Sequence, residues 1–242
     1  MFHLRTIDRR RALSLGLILG SIALLTASVI GILATATGDR ATLPDEGSIE
    51  EIVADTTVQE PTQGAPVNPG LPRGPAPIRF VIPGLYIDAP VITETLGEDA
   101  IPKVPGRPDQ VAWYDFSASP GFANNAVFSG HVDWQTGDGV PIPGVFYRLR
   151  EMKIGETIEV QLEDGATLQY RVTGNVATPY DDPNVVKVMN PTDRDVITVI
   201  TCGGAWVNNN RSANGGNYSH RVIVRAERVL GLAGGNTGSA GG

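Results

Sequence analysis

Residues 157–178 read T-I-E-V-Q-L-E-D-G-A-T-L-Q-Y-R-V-T-G-N-V-A-T. Apolar and polar residues alternate on both sides of Glu163-Asp164-Gly165. A period of two puts one face of a strand in a core and the other in solvent. An acidic residue followed by glycine between two such runs supplies the backbone that a tight hairpin needs. The stretch therefore predicts two antiparallel strands, 157–162 and 167–178. Further strands are expected at 78–82 before a Pro-Gly turn, 89–93, 125–128, 145–149, 196–201 and 221–229. Sustained helical periodicity is absent here, apart from a turn or two near 96–105 or 114–120. Short strands punctuated by glycine and proline predict an all-β barrel or sandwich. The folded region, 78–230, is long enough to bury one real core.

The flanks are different. Arg5, Arg9, Arg10 and Arg11 precede Ala12–Thr37, which is 26 residues without a charge. As a helix this run would extend ~39 Å, enough to cross a hydrocarbon core of ~30 Å with tilt. Arginines on its N-terminal side place residues 1–11 in the cytoplasm and the rest outside. Ala34-Thr35-Ala36 also fits a signal-peptide cleavage pattern, but the apolar run exceeds the ~7–15 residues usual for a signal core. An uncleaved transmembrane anchor at 12–37 is the expectation. Residues 38–77 read as a linker, acidic to residue 60 and then proline-rich, with six prolines in 61–77. Such a stretch favours polyproline II and reaches about 50 Å. Residues 231–242, GLAGGNTGSAGG, are expected to be a flexible tail.

The bulk composition excludes several classes. A net charge of −7, with no basic stripe beyond the N-terminus, argues against nucleic-acid binding. One cysteine rules out an intrachain disulfide framework, and three scattered histidines offer no structural zinc site. Asp133, Asp181 and Asp182 do not make a calcium motif. No metal or cofactor is expected.

That one cysteine, Cys202, follows V-I-T-V-I-T (196–201), a run apolar enough to be a central strand buried on both faces. Gly203-Gly204 is expected to end it. Taken alone, Cys202 reads either as a small buried hydrophobe or as a thiolate nucleophile. A nucleophilic cysteine needs a proton acceptor and a cation or donor for the oxyanion. The region offers His131, after A-V-F-S-G, and His220, directly before Arg221. Strand ends on one rim of a β scaffold can approach within hydrogen-bond reach, so both pairings stand on the residues alone.

In their order after an apolar anchor, A-V-F-S-G-H-V-D (126–133), T-V-I-T-C-G-G (198–204) and S-H-R-V-I-V (219–224) resemble the sortases, extracytoplasmic cysteine transpeptidases of Gram-positive bacteria. F-V-I-P-G-L-Y-I-D-A-P-V (80–91), P-G-V-F-Y-R-L (143–149) and I-G-E-T-I-E-V (154–160) are similar to further family segments. Val199 stands where the family usually has leucine. The similarity covers 78–229, and the C-G-G continuation resembles class F most, with class E next. The resemblance implies an eight-stranded β-barrel, with Cys202, His131 and Arg221 catalytic. It implies cleavage of an L-P-x-T-G sorting signal between Thr and Gly through a Cys202 thioester. His131 would protonate the leaving amine, and Arg221 would hold the signal and stabilise the oxyanion. An amine from a peptidoglycan precursor or a pilin would then take the acyl group. Thr201, Gly203 and Trp206 are candidate substrate contacts, and the loop 204–217 with Arg211 and the segment 179–195 are candidate groove walls. Arg225 and Arg228 lie on the last strand, and Arg225 is expected to be structural. Two other readings are weaker. A peptidoglycan-acting cysteine hydrolase would carry S-H-G-C, or a cysteine ahead of its histidine. A non-catalytic surface β-domain would leave Cys202 unreactive.

Overall fold

The computed structural model describes residues 43–56, 70–98, 100–208 and 215–230. The expected anchor at 12–37, the linker portion 57–69, Arg211 and the tail 231–242 lie outside them. No helix among the described residues is long and apolar enough to cross a membrane.

In chain order the elements are β1 (Asp45–Glu46), α1 (Ile49–Ala54), β2 (Pro77–Ile82), β3 (Ile87–Glu94), β4 (Val111–Tyr114), β5 (Asn124–Gly130), β6 (Asp133–Gln135), β7 (Pro141–Pro143), β8 (Thr157–Leu162), β9 (Thr167–Pro179), α2 (Asn184–Lys187), β10 (Asp195–Asn208) and β11 (Gly216–Arg228). The opening hairpin forms as its alternation predicts. Ile158, Val160 and Leu162 of β8 are buried, as are Leu168, Tyr170 and Val172 of β9. The main sheet runs β9-β11-β10-β5-β4-β3-β2-β8, and β8 pairs again with β9. That last pairing closes an eight-stranded barrel and removes its free edges. The β3–β4 and β5–β10 pairs are parallel; the others are antiparallel. Phe80 is packed inside against Phe128 and Phe146, with ring centroids 5.0 and 5.8 Å away.

Three local expectations change, and one strand, β4, was not expected. Val145–Leu149 is a turn leading into a 3-10 helix at Leu149–Glu151, not a strand. Phe146 and Leu149 are both fully buried, and a spacing of three suits a helical turn, whereas a strand would point them to opposite faces. β4, V-A-W-Y, is buried at every position and so shows no alternation to read. Part of the acidic stretch taken as linker is folded. Ser48 and Glu51 form a reciprocal capping box at the start of α1, and Ile49 and Ile52 pack against Val176, Val188 and Ile223. Finally, Gly203-Gly204 does not end β10. The strand continues to Asn208 through a register shift between Gly203 and Trp206, where Gly204 takes φ +77°. The expected loop 204–217 is therefore a hairpin extension at both of its ends.

Candidate active site

Alternation along β10 separates two faces. Ile197 and Val199 belong to the barrel interior, so Thr198, Ile200 and Cys202 point outward. On β11, Val222 and Val224 point in, and Arg221 and Arg225 point out. Cys202 pairs with Arg221 across the antiparallel β10–β11 ladder, which puts both side chains on one face. On the other side, the parallel β5 register runs to Ile200 opposite Ser129. His131 follows Gly130 at the end of β5 and so flanks Cys202 from that strand. The Thr201 hydroxyl donates to the Gly130 carbonyl at 2.8 Å, tying the cysteine strand to the histidine strand.

Each partner is held in place. The backbone of His131 accepts from Phe146 N at 2.9 Å. A Cβ on Gly130 would come within 2.6 Å of Val145 and 2.7 Å of Phe146, which is why glycine precedes the histidine. His131 Nε2 lies 2.7 Å from the Pro105 carbonyl, and the ring meets Trp134 edge-on at 4.9 Å. A carbonyl only accepts, so Nε2 carries the proton and Nδ1 is the nitrogen that can take one. The Arg221 guanidinium donates to His220 O at 3.0 Å and to Asn217 Oδ1 at 3.0 Å, and lies over the Tyr180 ring at 5.8 Å.

Cys202 is half-buried. Burial pushes its thiol above the ordinary range, the Arg221 charge pulls it back, and the Asp133 carboxylate pushes it up again. Tyr114, on the outward face of β4, feels the cysteine too and is itself raised, chiefly by its own burial.

An apolar groove of about 610 Å³ lies near this cluster and shares Tyr180 with it. Its lining includes Leu96, Ile101, Phe116, Tyr180, Val186 and Met189. Tyr180 is the residue under Arg221, and Met189 packs against the same buried cluster as Ile200, two positions before Cys202 on the same face. Leu71, from the proline-rich stretch, also reaches the lining, and Arg73 beside it donates to the Ser117 carbonyl at 3.1 Å. The α2 wall is fastened by one carbonyl. Val188 O accepts from Asn125 Nδ2 at 2.9 Å, from Arg225 Nη2 at 3.1 Å and from Thr198 Oγ1 at 3.4 Å.

The structure thus brings Cys202, His131 and Arg221 together on three adjacent strands. The other candidates divide. Thr201 is buried with its hydroxyl donating to Gly130, so it braces the two strands. Gly203 is buried, and a Cβ there would lie 2.8 Å from Val222, so the strand packs closely at this point. Trp206 is 48% exposed on the hairpin extension, edge-on to Tyr218 at 5.4 Å. His220 bonds Ser219 Oγ through Nδ1 at 2.8 Å, opposite Gly203 and beyond the thiol. Asp182 accepts from Thr178 and Asn184 N, a structural use. Among the described residues no cluster of three or more His, Cys, Asp or Glu could hold a metal. Arg225 is buried, with two of its nitrogens lacking a partner and its pKa pulled down to about 10 by desolvation. Sequence reasoning missed Tyr180, Tyr218 and the placement of Asp133 beside the thiol. The only signal for them was their position in the segments expected to wall the groove or follow the histidine.

No curated protein matches the chain. Solved structures similar to it include sortase C1 of Streptococcus agalactiae, at 21% identity over 63% of this chain and 66% of that one, TM-score 0.42. A Clostridium perfringens sortase D5 transpeptidase matches at 18% identity over 63% and 78%, TM-score 0.43. A lid mutant of sortase A from Corynebacterium diphtheriae matches at 20% over 75% and 94%, TM-score 0.46. These are classes C, D and A, so the class F expectation finds no support among them. The family model described as the sortase domain matches residues 80–229. That match runs from within β2 to the residue after β11, takes in all of the barrel but the first three residues of β2, with its cysteine, histidine and arginine strands, and establishes that the chain belongs to the sortase family.

Proposed function

We propose that this protein is a membrane-anchored cysteine transpeptidase that cleaves a sorting signal of the L-P-x-T-G type and passes the acyl group to an amine. The observation that carries the reading is the shared outward face of β5, β10 and β11, with Cys202 between His131 and Arg221. Burial favours the protonated Cys202 thiol, with Arg221 opposing and Asp133 adding to it. The proton must therefore leave as sulfur attacks, and Nδ1 of His131 is the base that takes it. The sulfur–carbon bond forms at the threonine carbonyl, and the Thr–Gly carbon–nitrogen bond breaks. The same proton passes from His131 to the leaving glycine amine. Arg221, fixed on Tyr180 and Asn217, supplies donors to the oxyanion. The apolar groove receives the leucine and proline of the signal. A second amine, from a wall precursor or a pilin lysine, then resolves the thioester.

The run 12–37 would place this chemistry outside a Gram-positive cell membrane, with the N-terminus in the cytoplasm. The test is exchange of an L-P-x-T-G peptide onto a free amine, read by chromatography. Wild type should yield the transpeptidation product. Arg221→Met should lower kcat by on the order of 10²–10³-fold, the usual effect of removing an oxyanion donor. Normal turnover by Arg221→Met would refute the assignment.

A further inference from the structure

Beyond β10 and β11 in the barrel wall, their extension carries Tyr218 past Cys202 and Arg221. The Tyr218 hydroxyl donates to Asp133 Oδ2, a contact between residues 85 apart in sequence. Asp133 opens β6, two residues after His131, and the Trp134 ring beside it touches the imidazole edge. At its other end Tyr218 is tied to Arg221. Its carbonyl accepts from Arg221 Nη1 at 3.4 Å, and its N–H shares the Asn217 Oδ1 that accepts from Arg221 Nη2. Trp206 supports the tyrosine ring from the side. One hydrogen bond therefore joins the segment that carries His131 to the strand that carries Arg221.

We propose that Asp133 and Tyr218 are a positioning pair: their hydrogen bond spans the Cys202 site, holds His131 and Arg221 in register on either side of the thiol, and sets the negative charge that the thiol faces. The proposal rests on Cys202 being the nucleophile. Asp133 is the carboxylate that opposes Arg221 at the sulfur. Tyr218 is raised by burial first, then by Asp133 and the cysteine, so it remains a protonated donor at any physiological pH. The groups facing the thiol are Arg221 and Tyr218 from β11, Asp133 from β6 and Tyr114 from β4, with His131 beside it at the end of β5. Of these, Asp133 is the one whose charge a single isosteric change removes. By donating to that carboxylate, Tyr218 spreads part of its charge away from the sulfur.

The two partners should therefore act on the thiol in opposite directions. Asp133→Asn removes a negative charge and should move the pH midpoint of Cys202 alkylation by iodoacetamide downward. Tyr218→Phe keeps the ring against Trp206 but leaves the carboxylate unbonded, and should move that midpoint upward. Tyr218→Phe breaks the hydrogen bond and should lose on the order of 10-fold or more in transpeptidation, because small displacements of reacting groups are costly; Asp133→Asn, whose amide oxygen still accepts from Tyr218, should lose less. Thermal melting of each variant separates these effects from unfolding. Midpoints that move the same way, or stay at the wild-type value in both, would overturn the proposal. The alkylation arm uses no peptide, so its outcome does not depend on whether the chain cleaves a sorting signal.

Discussion

Gly130 shows how a single side chain's absence positions a reacting group. The Phe146 ring lies where a Cβ would be, and the next residue is His131. Gly130→Ala is expected to cost about 1–3 kcal/mol through overpacking in a filled core. It should also displace the imidazole, so transpeptidation well below the new melting temperature should fall further than unfolding explains. Unchanged melting together with an unchanged rate would show that the packing argument is wrong. At this scale the sequence was informative where strand ends met chemistry. Gly130-His131, Thr201-Cys202 and Arg221 each sit at a recognisable point in a β run. Asp133 with Tyr218 was not legible. Their contact depends on β10 continuing past Gly204, and two glycines in a row read as a stop when they serve a bulge. The brace that Thr201 makes to Gly130 was not legible either, because nothing local shows that its hydroxyl turns to a neighbouring strand.

Among the elements, α2 is the one whose attachment is most concentrated. Three neighbouring strands send Asn125, Thr198 and Arg225 to the single carbonyl of Val188. Asn125 also donates to Asn190 O at 2.9 Å and accepts from Thr198 Oγ1 at 2.7 Å. Asn125→Ala would leave buried partners unpaired and should cost about 1–3 kcal/mol in urea denaturation. Since α2 walls the groove, the same change should raise KM more than it lowers kcat; a pure kcat effect would detach α2 from substrate binding. The strands with clean alternation, β8 and β9, could be read from the sequence almost residue by residue. β4 could not, because burial on both faces erases the period. The helix α1 was hidden by composition. Its acidic face resembles linker, although Ser48-Ile49-Glu50-Glu51 carries the capping pattern that marks a helix start.

For the whole molecule, closure by β8 on β9 was the part no pattern could supply. Alternation distinguishes a buried face from an exposed one, but a sandwich and a barrel share that alternation. The family resemblance supplied the barrel, and the sheet order agrees with it. Closure also explains why three distant segments converge. β5, β10 and β11 are adjacent in the wall although residues 131, 202 and 221 are spread over most of the folded chain. Tyr180, which lines the groove, also lies under the Arg221 guanidinium on the outside of that wall. This arrangement makes one claim above all, that Cys202 carries the acyl group between donor and acceptor. Mass spectrometry of the intact protein, quenched in acid after incubation with an L-P-x-T-G peptide and no amine, tests it directly. The expected result is an adduct equal to the peptide up to its threonine, mapped to Cys202, released by hydroxylamine and missing in Cys202→Ala. Cleavage of the peptide by Cys202→Ala, or an adduct on any other residue, would contradict it.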